Sequence, residues 1–393
     1  ACVINFSSEE FMKKLIFAIM IVSLVFAVSC GSDTKSTKND NETVTDNETT
    51  DENLTDEEVS DNEVNDETVT DEEETQDLEE VDEDTFVPVI ACGDFAEGMN
   101  QNFIVGEGAN ELSRDFILRL PSDIDSETAW PVVFLYHGYG DTAQNFQSVL
   151  SNKVNNEEMP FILVVPVARA DIFTFGLPPK GLDWDMINLT DGSAEADMFD
   201  AVLNCIDGKW GVNADHIHVS GFSAGAITAN SIALQRPEIV ASVFTYSGAY
   251  FSDPESRTAL GQISGMNVGD FFKWPDMEEI HTKYPQVFVS GGEGKDTWSA
   301  SEFKIDFNVM ANLGSSYLSG LGHDVILCNH GGTHTIAGPT TTTMLNFFKD
   351  HPFGTEVSPY RSSLPEGYDT CEFFTEETDD SDDADETDDS DNI

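Results

Sequence analysis

The pentapeptide Gly221-Phe222-Ser223-Ala224-Gly225 constrains this chain more than any other stretch. It follows a short apolar strand, Ile217-His218-Val219, and opens a run of helix formers that stops at Pro237. Set between a strand and a helix, G-x-S-x-G is a turn tight enough to strain the serine backbone and lift its hydroxyl above a sheet edge. The flanking glycines belong to that geometry, since a Cβ there would collide with the neighbouring strand or helix. Ala224, Gly225 and Ala226 let the helix approach the sheet closely.

A serine hydroxyl is a weak nucleophile at its free pKa. It needs an imidazole to take its proton and a carboxylate to hold that imidazole in one tautomer. With this turn the expected chain order is serine, acid, histidine. Residues 324–328 (DVILC) read as a buried strand, followed by Asn329-His330-Gly331-Gly332-Thr333-His334-Thr335. The two glycines free that loop to reach across the sheet top. His334 is the candidate base, and His330 is the rival nearer the strand. His216 and His218 flank the serine strand and read as structural, whereas His281 and His323 read as surface residues. Another apolar strand, residues 286–290, precedes a loop from Gly291 to Trp298. Asp296 is the first choice of acid and Glu293 the second. Asp306 falls in a helix expected over 299–313, and Asp324 starts the histidine strand, so both fit poorly.

Charge developing on an attacked carbonyl needs preorganised donors. The Ala224 N–H, first after the serine, is one candidate. Residues 131–136 (PVVFLY) form an apolar strand that runs into His137-Gly138-Tyr139-Gly140. The Tyr139 N–H is the second candidate, with His137 read as a structural loop residue.

These segments carry a family resemblance. SRDFILRLP with PVVFLYHGYG, DHIHVSGFSAGA and GGTHTIAG together resemble the poly(3-hydroxybutyrate) depolymerase and feruloyl esterase family of α/β-hydrolases, over about residues 102–352. Ile336 and Ala337 stand where the family carries Trp and Pro, and S-G-G-E-G-K-D replaces its shorter H-G-x-x-D acid turn. Gly181-Leu182-Asp183-Trp184-Asp185 resembles the family's tryptophan-containing segment near the pocket. The resemblance implies ester hydrolysis, on feruloylated or acetylated polysaccharide or on short polyesters, without metal or organic cofactor. It places Trp184 near substrate, and Phe222, next to the serine, is a further substrate-contact candidate.

Outside this block the composition changes. Met12-Lys13-Lys14 precedes an apolar run over 15–28 that ends at Ser29-Cys30-Gly31. A charged start, a short apolar stretch and small residues form a secretion signal, too short for a comfortable membrane span. Phe26-Ala27-Val28-Ser29-Cys30 resembles a bacterial lipobox, so residues 12–30 are expected to be a lipoprotein signal with Cys30 lipidated. Acyl chains there would hold the protein to a membrane, each buried CH₂ adding about 0.8 kcal/mol. That places the enzyme on the outer membrane or cell surface, with release as an alternative. Residues 1–11 are read as a misplaced start. Residues 31–85 are almost entirely Asp, Glu, Asn and Thr, and cannot bury enough apolar area to offset their ordering entropy. They and residues 372–393 read as a disordered linker and tail. The calcium-loop pattern D-x-D-x-D-G is absent from both.

The chain carries 74 acidic and 18 basic residues, a formal net charge of −56. Such a surplus argues against nucleic-acid binding. Residues 86–371 suffice for one hydrolase core. Apolar strands over 115–120, 132–136, 161–165, 217–219, 242–246, 287–289 and 325–328 alternate with helical runs over 194–206 and 226–236. The expected class is α/β, a mostly parallel sheet covered on both faces, in a monomer. Residues 251–283 read as a lid or pocket wall, with Phe271, Phe272 and Trp274 open to substrate contact or packing. Of Cys92, Cys205, Cys328 and Cys371, the first and last flank the folded block, which favours Cys92–Cys371 and Cys205–Cys328 bridges among the three possible pairings. A secreted serine peptidase of this fold and a non-catalytic binding lipoprotein stay open as alternatives.

Overall fold

Six apolar segments of the sequence become the parallel centre of one sheet. This computed structural model describes residues 92–106, 111–169, 184–263, 265–277, 282–300 and 303–374. The chain divides into residues 1–88 and 89–393, and everything described belongs to the second unit. The expected signal, Cys30, linker and acidic tail beyond Phe374 lie outside the described residues. Within the sheet, β1 (Gly98–Val105) and β2 (Leu112–Arg119) lead into β3 (Trp130–Tyr136), β4 (Ile162–Pro166), β5 (Val212–Phe222) and β6 (Ser242–Tyr246). Two hairpin strands, β7 (Gln262–Ile263) and β8 (Met266–Asn267), stand apart. Then come β9 (Gln286–Ser290), the hairpin β10 (Thr297–Ala300) and β11 (Phe303–Asp306), β12 (Val325–Asn329) and β13 (Cys371–Phe373).

The nine-stranded sheet runs β1-β2-β4-β3-β5-β6-β9-β12-β13. All pairings from β4 to β12 are parallel, and β1, β2 and β13 add antiparallel edges. Successive strand side chains point to opposite faces. Val132, Phe134 and Tyr136 therefore enter one core with Val219 and Ile227, while Val133 and Leu135 enter a second with Phe244, Val287 and Phe348. Both faces are dry, as a parallel sheet requires. The first core is closed by α2 (Ala194–Trp210), α3 (Ala224–Gln235) and α5 (Phe307–Gly320). Onto the second pack α1 (Ala143–Phe146) and α6 (Thr341–Asp350). A short α4 (Pro254–Ala259) starts on Pro254 with Asp253 capping two amides. This is the α/β-hydrolase architecture. No described helix is long and apolar enough to cross a membrane.

Several expectations change. The run over 299–313 is not one helix. Phe303-Lys304-Ile305-Asp306 alternates buried and less buried residues, a period of two, and pairs with β10 before α5 begins at Phe307. The disulfides join Cys92 to Cys205 and Cys328 to Cys371, not Cys92 to Cys371 or Cys205 to Cys328. Sheet order gives the reason: β1 and β13 occupy opposite edges, so Cys92 and Cys371 cannot form a clasp. Cys371 instead stands directly across the ladder from Cys328. The N-terminal segment runs along α2, where Phe95 packs edge-on against Trp210 at 5.4 Å. Phe272 and Trp274 are core residues, and the Trp274 indole donates to Met186 O at 2.8 Å.

His323 is buried rather than on the surface, as are His218 and His351. His281 lies outside the described residues. Burial drives the imidazoles of His323 and His351 down to about 4, and holds His218 well below its ordinary value. An unfolded histidine titrates near 6.5. Between those values the unfolded chain takes up protons that the folded chain refuses. Their contribution to stability is therefore complete above about pH 6.5 and falls as pH drops towards 4, on the order of 3 kcal/mol for each of His323 and His351. Thermal unfolding from pH 7.5 to 4 should show a Tm falling through that window, and His323→Gln should flatten the fall. A Tm independent of pH there would contradict the buried, neutral assignment.

Candidate active site

Ser223 sits between the end of β5 and the start of α3 with φ 57° and ψ −123°, a backbone that L residues rarely adopt. Its N–H donates to Tyr246 O at 2.9 Å, fixing the turn to β6. The two glycines are steric necessities. A Cβ on Gly225 would lie 2.1 Å from Tyr136 O, and one on Gly221 would lie 2.3 Å from Gly225 O. The helix can therefore start hard against the sheet only with these residues, and the turn holds the serine hydroxyl at the sheet's upper edge.

The acid and histidine loops meet through a second set of glycines. Gly292 N–H donates to Gly332 O at 2.9 Å, and a Cβ on Gly291 would lie 2.4 Å from that same oxygen. This backbone-to-backbone contact brings Asp296 under His334. The imidazole Nδ1–H donates to Asp296 Oδ1 at 2.7 Å, and Ser223 Oγ–H donates to Nε2 at 2.9 Å. An ionised carboxylate can only accept, so it fixes the proton on Nδ1 and leaves Nε2 open to the serine. Asp296 is fully buried, and its Oδ2 accepts from Gly291 N–H at 2.7 Å and Ser247 Oγ–H at 2.8 Å. Burial alone would raise its pKa. The hydrogen bonds from His334, Gly291 and Ser247 outweigh burial and leave the carboxyl below its ordinary value. Phe307 stacks on one side of the His334 ring at 4.6 Å and 15°, and Phe222 contacts it at 4.7 Å.

The structure thus joins Ser223, His334 and Asp296 in one hydrogen-bonded chain. Glu293 is exposed. His330 turns its Nδ1 to the Gly332 N–H and shapes the loop instead. Ala224 is the first residue of α3, where helix geometry supplies no intrahelical acceptor for the amide. The loop carrying Tyr139 lies against the turn: a Cβ on Gly138 would stand 3.1 Å from the Phe222 ring and 3.4 Å from Ser223 Cβ. His137 is buried, with Nδ1 on Gly138 O and Nε2 accepting from Ala168 N–H.

Trp184 is not on the substrate side. It is fully buried, and its indole donates to His137 O at 2.9 Å, bracing the loop from behind. The reason is local. Asp185, its neighbour, is held by Glu195 and Ala194 at the start of α2, and Glu195 is itself paired with buried Arg114 at 2.6 Å. A cavity of about 290 Å³ opens beside His334, with Phe146, Val149, Phe222 and Ile336 as apolar lining and Asp141 and Asn145 among the polar residues. A larger polar depression of about 430 Å³ between Arg119 and Gln147 contains neither Ser223 nor His334. Among the described residues no group of His, Cys, Asp and Glu is placed to hold a metal ion.

Sequence reading missed Ser247 and Phe307. Ser247 ends the strand beside Ser223, a position that was its one signal. It has φ 50° and a hydroxyl aimed at the acid. Phe307 carries none, because residues 299–306 of the hairpin that delivers it read as the start of a helix.

Residues 124–264 match the family model described as phospholipase/carboxylesterase. No curated protein matches the chain. Among solved structures, native pOPH superposes with a TM-score of 0.52 at 18% identity, covering 73% of this chain and 97% of its own. Native sOPH gives 0.50 at 19% identity, over 72% and 96%. A ferulic acid esterase aligns at a TM-score of 0.41 and 16% identity, over 61% and 93%. The chain has the α/β-hydrolase fold, on its own sheet order and on the fold it shares with the first two.

Removing the Ser247 hydroxyl strips one donor from a buried carboxylate, a change worth about 1.5–3 kcal/mol for a charged acceptor. Ser247→Ala should lower kcat/KM on p-nitrophenyl acetate by about tenfold or more, with the fold checked by circular dichroism. Turnover at the parent level would remove Ser247 from the site.

Proposed function

We propose that this chain is an exported, lipid-anchored serine carboxylesterase that hydrolyses feruloyl or acetyl esters of polysaccharide, or short polyhydroxyalkanoate-type polyesters. The observation that carries the reading is the His334 imidazole bridging Ser223 Oγ and Asp296. In this mechanism Ser223 Oγ attacks the ester carbonyl carbon as its proton passes to His334 Nε2. The resulting oxyanion lies between the amides of Ala224 and Tyr139, donors aimed where charge develops. His334 then gives the proton to the leaving alcohol, and the C–O bond breaks to leave acyl-Ser223. Water attacks the acyl carbon with His334 again as base, and the acid departs. Asp296 stays ionised and stabilises the imidazolium formed at each step.

The match to a carboxylesterase model supports ester over peptide bonds. Two disulfides support an oxidising compartment and hence export. The charged start, apolar run and Cys30 of the sequence support lipid anchoring, with residues 31–85 as a hydrophilic stalk. The family resemblance supports the choice of acyl and polymer classes.

Ser223→Ala should abolish release of p-nitrophenol from its acetate ester, a loss of about 10³-fold or more in kcat. A fluorophosphonate probe should label the parent protein and not the variant. Equal turnover, or a parent chain inert to both reagents, would refute the assignment, the latter in favour of a binding protein.

A further inference from the structure

Among the described residues, the cavity beside His334 has one fixed charge: Asp141 lines it, and no described lysine or arginine does. The carboxylate belongs to the loop between β3 and α1. Its Oδ1 accepts from Thr142 N–H at 2.8 Å and from the Asn145 side-chain amide at 3.2 Å. Both donors are neutral, and Asp141 enters no ion pair among the described residues. Among the described residues, the negative charge at the cavity is therefore unpaired. It lies beside an apolar wall formed by Phe146, Val149, Phe222 and Ile336, and at low ionic strength its field reaches about 10 Å or more before salt screens it.

From this geometry we propose that Asp141 is a charge filter. It selects esters whose part seated in the cavity is uncharged or cationic, and it disfavours anionic ones. This rests on the esterase reading above and narrows its substrate class. The reason is electrostatic exclusion: a like charge opposite a wrong ligand discriminates more sharply than added contacts with the right one. The filter also acts on product. Ester hydrolysis creates a carboxylate at the site, and a product acid in the cavity meets a fixed charge of the same sign. For a polyester, the cavity then accepts an internal stretch of chain in preference to one ending in a free carboxylate.

The test uses two matched ester pairs, because the cavity could seat either arm. One pair varies the acyl arm, p-nitrophenyl heptanoate against the mono-p-nitrophenyl ester of adipic acid. The other varies the alcohol arm, phenyl acetate against its p-carboxy derivative. The readout is the ratio of kcat/KM, neutral over anionic, in the parent and in Asp141→Asn. Asparagine keeps the oxygen that accepts from Thr142. In at least one pair the parent ratio should exceed ten at low salt, shrink as salt screens the charge, and fall about tenfold in Asp141→Asn. Heptanoate should also inhibit the variant several-fold more tightly than the parent. If both ratios are the same in parent and variant, the proposal is overturned. A parent ratio insensitive to salt in both pairs overturns it even if the variant does not fold. Failure of the esterase reading would look different, because the neutral esters would then turn over equally with Ser223→Ala.

Discussion

The close approach of α3 to the end of β3 is the contact on which the rest of the site depends. Gly225 lies so near Tyr136 O that a Cβ would fall within 2.1 Å of it. That proximity forces the chain to turn within a single residue, and the residue that turns is Ser223. Its φ of 57° is a cost the surrounding sheet holds in place through the Tyr246 carbonyl. If the helix stood further off, the hydroxyl would not be held at the sheet edge.

A second constraint operates on the acid. A fully buried carboxylate is expensive unless hydrogen-bond donors surround it. Asp296 meets this with three donors from three segments: His334 from the loop after β12, Gly291 from the end of β9, and Ser247 from the end of β6. The same bonds that make its burial tolerable also aim it. Paired glycines at 291–292 and 331–332 let the two loops touch backbone to backbone, so the imidazole and carboxylate meet without long side chains spanning a gap. Phe222 and Phe307 confine the ring laterally.

Much of this is legible in the sequence. The parallel strands announced themselves as short apolar runs, and the serine turn as glycines around Ser223. Chain order pointed to His334 and Asp296 as partners. What was not legible depends on neighbours in space. The cysteine pairing follows from which sheet edge each terminus reaches, and strand order is not written in local pattern. Trp184 was read by resemblance as facing substrate, but the Arg114–Glu195 pair and its hold on Asp185 draw that segment inward behind the His137 loop. The β10–β11 hairpin was lost among residues of mixed propensity, and with it Phe307. His323 was taken for a surface residue because its flanks are polar, yet packing against Tyr284 at 4.8 Å encloses it.

The Cys328–Cys371 bridge lies on the strand that carries the loop of His334. Cys371 belongs to β13, the last strand of the described chain, and Asn329 N–H reaches across to Thr370 O beside the bridge. Synthesis runs from the N-terminus, so the covalent lock on the imidazole's strand can close only after Cys371 has been made, 43 residues beyond Cys328. Ser223, Asp296 and His334 are all present in the nascent chain before that moment. The fastening of the His334 strand thus follows the synthesis of all three side chains, and a chain truncated before β13 would carry Ser223, Asp296 and His334 without the bridge that ties β12 to β13.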